Sequence, residues 1–449
     1  MQRVRRVLAQ AYSRIRGTRP VRWAVGRLSP ETKQVARRLL GRPARARRVA
    51  AARTSTLDAA RVSRAATAAE HAPFVADRSG SDPRVNVVGH FRGESGMAEA
   101  ARSLVTAAEA AGVRVALLSA SRTDALGPDQ RLANAIGSDT PHPVTVICVN
   151  ANETAQLMDE LGPGVTSGRY NIGFWFWELA RLPDAWHGAL DRVDEIWVAS
   201  RFVAETMAAA TSKPVRTVRL AVDATPSRAY RRWEFGLSDD MFTFLFTFNF
   251  NSYVARKNPL GTIKAFRVAF PGGNESVALV LKAMNADKGG DRIRLLEEAI
   301  DGDNRIRVID RPMSRDEVFG LESVVDSYVS LHRSEGFGLG LAESMFLGKP
   351  VIGTAYSGNL EFMNDANSLL LDYRLMAVGD REYPFPAGQV WADPDVGQAA
   401  DHMRRLVGDP AFGREIGARA RSHMVQQFSA AAVGAGIAER LSQILDGVP

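Results

Sequence analysis

Residues 326–350 read DSYVSLHRSEGFGLGLAESMFLGKP. The aromatic and β-branched run at the start predicts a strand over 326–331. The apolar spacing after it predicts a helix ending near Leu347, before Gly348-Lys349-Pro350. Between them lies a loop with glycines at 336, 338 and 340. Glycines let a backbone approach a ligand closely, and a helix start offers free N–H groups to an anion. Glu335 falls in the loop and Glu343 about one turn inside the helix. Two carboxylates so spaced suit a ligand with hydroxyls at two ends, because carboxylates accept strongly from sugar hydroxyls. A Gly-rich turn with one exposed acid and one satisfied buried acid has the same local pattern. The companions of this loop therefore decide its meaning.

Working outward, β-branched runs alternate with helical patterns from Arg84 onward, at α/β spacing. Strand-like runs fall at 85–88, 113–118, 144–149, 170–176, 195–199 and 215–220. Residues 223–240 interrupt them. A second series opens with FTFLFTFNF at 242–250 and continues at 276–282, 305–309 and 350–354, with helices alone after about 395. The fold class is α/β: two Rossmann-like, doubly wound units of mostly parallel strands. Five segments follow: a basic Arg/Ala-rich extension (1–80), a first domain (81–225), a linker (226–240), a second domain (241–410) and terminal helices (411–449). Packing of those helices back onto the first domain is one arrangement open to them. In such sheets ligands bind at the carboxyl ends of strands, which confines the search to post-strand loops.

Four such loops accompany the first. Asn251-Ser252-Tyr253-Val254-Ala255-Arg256-Lys257-Asn258-Pro259 follows the strand 242–250. Arg256 and Lys257 there suit a diphosphate, and cations at a helix start oppose its dipole unless something anionic compensates. Gly89-His90-Phe91-Arg92-Gly93-Glu94-Ser95-Gly96 is a second glycine loop at a helix start. Ser357-Gly358-Asn359 follows the strand 350–354. Asn171–Glu178 (NIGFWFWE) offers Trp175, Trp177 and Glu178 as an apolar platform with one acid, or else a buried strand with core aromatics.

Composition narrows the class. The 449 residues carry 57 Lys+Arg and 50 Asp+Glu, a net charge of +7. Residues 1–80 hold 18 Arg and one Lys against four acids, a net of +15, which leaves the body at −8. Val4, Leu8, Ala11 and Ile15 fall on one helical stripe of this arm. Ser29-Pro30-Glu31 reads as the start of a second helix that Gly41 closes. A short basic amphipathic helix can lie on an anionic membrane surface, and a solvated extension is the competing reading. No zinc-finger, RNP or KH pattern accompanies the arm, so no nucleic-acid partner is expected. No signal sequence and no spanning helix are expected either. The lone Cys148 excludes an internal disulfide framework and a Cys-based zinc site. Asp301-Gly302-Asp303 reads as a turn and Asp393-Pro394-Asp395 as a helix cap. With no zinc-like His spacing, no metal ligand is assigned.

Together these loops resemble a retaining, nucleotide-sugar-dependent glycosyltransferase of the GT-B fold, in the large "group 1" (family 4) class. Glu335-Gly336-Phe337-Gly338 with Glu343 matches that family's Glu-x7-Glu element. Asn251–Pro259, Gly93–Gly96, Glu178 with Asp194–Trp197, and Tyr356–Asn359 match in order. The likeness covers roughly 84–430 and does not extend to the arm. It implies that Glu335 contacts the donor sugar and that backbone N–H groups of Phe337, Gly338 and Leu339, beside Gly336, hold sugar and phosphate. Glu343 would take the ribose hydroxyls and Lys257 the diphosphate. Gly93, Ser95 and Gly96 would close over the phosphates, and Ser357 and Asn359 would line the donor site. Trp177 and Glu178 would face the acceptor. Many relatives carry an Arg where this chain has Ser252, so Arg256 or the pair Asn251/Ser252 would supply that contact.

The implied reaction moves a hexosyl group from a nucleoside-diphosphate sugar to a hydroxyl of a glycan or lipid-linked glycan, with retention. The implied setting is cytoplasmic, with the arm on the inner face of the plasma membrane. No cofactor is expected beyond the donor substrate, and no metal. A GT-B epimerase or phosphorylase, or a non-catalytic binding protein using the arm, are the alternatives.

Overall fold

A computed structural model describes residues 82–93, 95–120, 132 and 135–447, all within one compact unit, Pro73–Pro449. The arm read over 1–80, with its predicted helices, lies outside them. The described residues form two parallel sheets and one hairpin. The first sheet has strands β1 (Arg84–Gly89), β2 (Arg114–Ser119), β3 (Ile136–Gly137), β4 (Val144–Cys148), β5 (Tyr170–Phe174), β6 (Glu195–Val198) and β7 (Val215–Thr217), ordered β3-β2-β1-β4-β5-β6-β7. The second has β8 (Phe242–Asn249), β9 (Val277–Met284), β10 (Ile306–Ile309), β11 (Ser327–Ser330), β12 (Val351–Thr354) and β13 (Leu369–Leu371), ordered β10-β9-β8-β11-β12-β13. Both orders reverse once, the doubly wound pattern expected from the alternation.

The helices that bear on the site are α1 (Gly96–Ala110), α2 (Ala151–Leu161), α3 (Arg201–Ala208), α4 (Val254–Lys257), α5 (Pro259–Ala269), α6 (Asp291–Ile300), α7 (Arg315–Val324), α8 (Leu339–Phe346), α9 (Val396–Gly408), α10 (Pro410–Phe428) and α11 (Ala430–Leu445). Helices on both faces of a sheet demand apolar residues on both faces of its strands. β8 meets that demand: Phe244, Phe246 and Phe248 alternate with Thr243 and Leu245, and all five are buried. Cys148, in β4, is likewise core.

The last helix lies against the first domain. A Cβ on Gly434 of α11 would stand 2.0 Å from the carbonyl oxygen of Ala107 in α1, so only glycine permits this approach. Arg440 of α11 donates to the fully buried Glu195 (Nη2 to Oε2, 2.6 Å), which also accepts from Tyr170 (3.0 Å) and Trp197 (2.8 Å). Glu195 opens β6, at the end of the strand remote from the loops that carry chemistry. The Asp194–Trp197 segment thus anchors the terminal helix.

The short edge strands β3 and β13 and one hairpin have no counterpart in the strand runs of the sequence. β14 (Tyr373–Ala377) and β15 (Val390–Pro394) pair antiparallel, and the excursion between them reaches the first domain. Arg181 donates to Ala387 O at 3.2 Å, and Gln389 donates to Arg181 O at 2.8 Å. β14 is mostly exposed and so lacks the hydrophobic period by which strands are read, whereas β15 buries Trp391 and Ala392.

Candidate functional site

The order of the second sheet reverses between β8 and β11, and loops diverging from such a point leave a crevice. The loop after β8 forms the single turn α4, ending in Arg256 and Lys257. Asn258 then turns left-handed (φ 55°) and caps α5, accepting from Gly261 N at 3.1 Å. Both cations therefore stand at the C-terminal end of α4, where the helix dipole favours them. The expectation that they open a helix is corrected, since they end one. Their anion is Glu335.

Glu335 is buried, its Oε1 2.6 Å from Lys257 Nζ and its Oε2 2.9 Å from Arg256 Nη1. Burial alone would raise its carboxyl. Lys257 and Arg256 overcome that and hold it at about 2, ionised at any physiological pH. Burial lowers the Lys257 ammonium against the pull of Glu335. Arg256 is also buried. It donates to Ser334 O at 2.8 Å, and its Nη2 lies 3.6 Å from Glu178 Oε1 of the first domain.

A second layer fixes this loop. Glu335 N donates to Ser357 Oγ (2.8 Å), and Gly358 N donates to Glu335 O (2.9 Å). A Cβ on Gly358 would sit 2.2 Å from Gly336 O, so glycine is obligatory at this contact. His332, kept low by burial, bonds Asn359 Oδ1 through Nε2 (3.0 Å) and Ser330 through Nδ1 (3.1 Å). Asn359 is fully buried and donates to Thr354 O. Through His332 and Thr354 it supports the loop. Phe337 packs its ring on Phe362 and Phe428 and is buried. Gly338 turns at φ 100° into α8, whose first N–H groups have no acceptor inside the helix. Leu339 begins that turn.

The first domain closes on the same loop. Ser200 donates to Gly336 O at 2.7 Å, and Ser334 donates to Glu178 O. Tyr383, from the β14–β15 excursion, donates to Glu178 Oε2. Burial and Glu178 hold that phenol well above its ordinary range. Ser95 caps α1 by accepting from Ala98 N at 3.2 Å, and Gly93 O accepts from Arg102 at 3.0 Å, with Gly96 exposed. Glu94 lies outside the described residues. Asn251 and Ser252 form a turn on Asn249. Their side chains do not join the Glu335 cluster, whereas Arg256 does.

Trp175 and Trp177 offer no platform. Both are buried, their indole N–H groups donating to Thr154 (2.9 Å) and Arg181 O (2.8 Å). Stacking a sugar needs an open ring face, and the alternation in NIGFWFWE is that of core aromatics. Tyr253 and Phe385 are exposed, and Phe176 and Trp186 are half-buried.

Glu343 lies in α8 and is buried against Arg315, the first residue of α7, which pairs with its Oε1. Arg315 Nε stands 3.7 Å from Glu99 Oε2 in the first turn of α1. Burial and the nearby Glu99 raise the Glu343 carboxyl despite Arg315. Behind it Glu322 is wholly buried, and burial with Glu343 pushes its carboxyl well up.

Arg315, Glu99, Tyr383 and Ser200 escape the sequence reading. Arg315 carried a usable signal, since a cation in the first turn of a helix opposes its dipole. Tyr383 carried none.

The chain is similar in structure to sucrose-phosphate synthase from Thermosynechococcus elongatus (16% identity, TM-score 0.59, covering 81% of this chain and 100% of that one). It is similar to HepE from Anabaena, solved in complex with UDP-glucose (14%, TM-score 0.57, 80% and 100%). It is also similar to a glycosyltransferase from Rickettsia africae ESF-5 (13%, TM-score 0.59, 81% and 99%). No family model and no curated protein matches the chain. With two Rossmann-like sheets meeting at their loop-bearing ends, the chain has the fold of these proteins, GT-B.

Proposed function

We propose that this protein is a retaining glycosyltransferase, transferring a hexosyl group from a nucleoside-diphosphate sugar to a hydroxyl of a glycan or lipid-linked glycan. The observation that carries the reading is Glu335, buried and ionised between Lys257 and Arg256 where the second sheet's order reverses. A permanent carboxylate beside two cations and open helix N–H groups matches a ligand bearing sugar hydroxyls and a diphosphate side by side. HepE, of the same fold, is solved with UDP-glucose.

In this reading Glu335 accepts from the sugar hydroxyls, and Lys257 turns from Glu335 to the diphosphate. Arg256 stays as the counter-charge that keeps Glu335 ionised. The N–H groups at Phe337, Gly338 and Leu339 and the Gly93–Gly96 loop hold the phosphates, and Glu343 takes the ribose. The bond from the anomeric carbon to the diphosphate oxygen breaks as the acceptor oxygen bonds that carbon from the same face. The acceptor's proton passes to the departing phosphate oxygen. Charge gathers on that oxygen, where fixed cations and helix N-termini stabilise the transition state most. Glu178 and the neighbouring aromatic surface lie on the acceptor side, and the contacts of Ser200 and Glu178 on the loop exclude water. The +15 arm holds the enzyme on an anionic membrane, at the cytoplasmic face, beside a lipid-linked acceptor.

A thermal-shift screen across UDP-, GDP-, ADP- and dTDP-sugars tests the donor. One of them should raise Tm, and Glu343→Ala should raise KM for it more than it lowers kcat. A screen in which none binds would contradict the reading.

A further inference from the structure

Arg315 stands between two carboxylates that belong to different domains. Its Cα is fixed, because Ser314 and Glu317 form a capping box at the start of α7: Glu317 N donates to Ser314 Oγ (3.2 Å) and Ser314 N to Glu317 Oε2 (2.8 Å). Its guanidinium pairs with Glu343 through Nη2. Its Nε is buried without a hydrogen-bond partner, 3.7 Å from Glu99 Oε2, too far for a hydrogen bond and close enough for one after a small rotation. Glu99 is itself tied to the phosphate-loop region. Arg102 binds it at 2.7 Å while donating to the carbonyls of Phe91 and Gly93 at 3.0 Å each. Arg315 thus covers the carboxylate a ribose would need, while a donor with no partner points at the opposite domain.

We propose that Arg315 is a positioning residue that exchanges Glu343 for Glu99 when a nucleotide ribose takes Glu343, so that donor binding tightens an ion pair between the two domains. The exchange rests on the ribose assignment of Glu343. A ribose hydroxyl donates to Glu343 and displaces Nη2, and the guanidinium turns about its fixed Cα until Nε reaches Glu99. Two arginines then share Glu99, and the arriving diphosphate supplies the negative charge that makes this tolerable. Glu322, the other carboxyl facing Arg315, has both oxygens without hydrogen-bond partners, and burial with the nearby Glu343 pushes its carboxyl well up, which weakens its competition for Arg315. Phe319, on whose ring Arg315 stacks at 4.5 Å, supports the guanidinium from the α7 side.

Calorimetric titration of the full chain, Glu99→Gln, Arg315→Met and the double variant with UDP, GDP and ADP, each beside its 2′,3′-dideoxy form, tests the exchange. For the ribonucleotide that binds best, Glu99→Gln should weaken binding about tenfold, the scale of a partly buried charge pair. The double variant should bind no more weakly than Arg315→Met. The dideoxy form should show no dependence on Glu99. Additive effects of the two substitutions, or a Glu99 dependence that survives in the dideoxy form, would overturn the exchange. If Arg315→Met fails to fold, the ribo-against-dideoxy comparison in Glu99→Gln decides alone. A ribo preference that persists in Glu343→Ala, or binding of none of the three nucleotides, overturns the underlying ribose assignment, a separate failure.

Discussion

Replacing Lys257 by Met removes one of two charges from Glu335 while keeping a stem of similar length. The magnitude follows from the site. Glu335 titrates at about 2 against an ordinary 4.5, a displacement equivalent to about 3 kcal/mol. That displacement is what remains after burial has pushed the other way, so losing one of the two cations removes at least about 1–2 kcal/mol of stability at neutral pH. The pH dependence has a definite sign. A carboxyl lowered by folding stabilises the protein fully above its ordinary 4.5, and that contribution disappears as pH falls through the folded value near 2. Thermal melting from pH 7 to pH 2.5 is the assay. Lys257→Met should melt below the wild type by a constant margin above about pH 5, and the margin should close as the acid end is approached. In turnover, losing a cation aimed at the departing diphosphate should cost about 10²–10³ in kcat. A variant that melts like the wild type at pH 7, or whose deficit is equal at pH 7 and pH 2.5, refutes the electrostatic assignment.

Glu322→Gln should stabilise the protein, and more so at higher pH. Its carboxyl is raised above 4.5, so the wild type is relatively favoured below that pH and penalised above it. Tm should rise more at pH 8 than near pH 4.5, where little gain is expected, and equal gains at the two pH values would contradict the assignment. Gly358→Ala drives a methyl to 2.2 Å from Gly336 O. It should cost about 1–3 kcal/mol of overpacking and, by displacing Glu335, abolish turnover, seen by melting and product assay. The full chain should co-sediment with anionic vesicles more than a chain starting near residue 81, and lose the advantage in high salt. Equal binding would refute the membrane role of the arm.

The sheets were legible because both are buried on two faces. Runs such as FTFLFTFNF are continuous in apolar and β-branched residues, and glycine loops follow β1, β11 and β12 at their carboxyl ends. The Glu335 loop was legible for the same reason, since its glycines and acids cluster within twelve positions. What sequence could not show is which charges meet. The dipole argument expected Arg256 and Lys257 to open a helix beside an anion, yet a left-handed Asn258 ends one short helix there and opens another. The same argument applies at Arg315, where a cation does open a helix, and its partners Glu343 and Glu99 come from distant segments. Trp177 reads as a platform or as core with equal ease until Arg181 O is found accepting from its indole. Tyr383 lies in the excursion between β14 and β15, outside any periodic run.

The most direct test of glycosyl transfer with retention uses water as the acceptor. Proton NMR of the full chain with UDP-, GDP-, ADP- or dTDP-α-hexoses should show slow release of the nucleoside diphosphate, with the α-anomer of the free sugar appearing first. Glu335→Gln should slow that release by about 10² or more. First appearance of the β-anomer, release unchanged by Glu335→Gln, or no cleavage of any of these donors would contradict it.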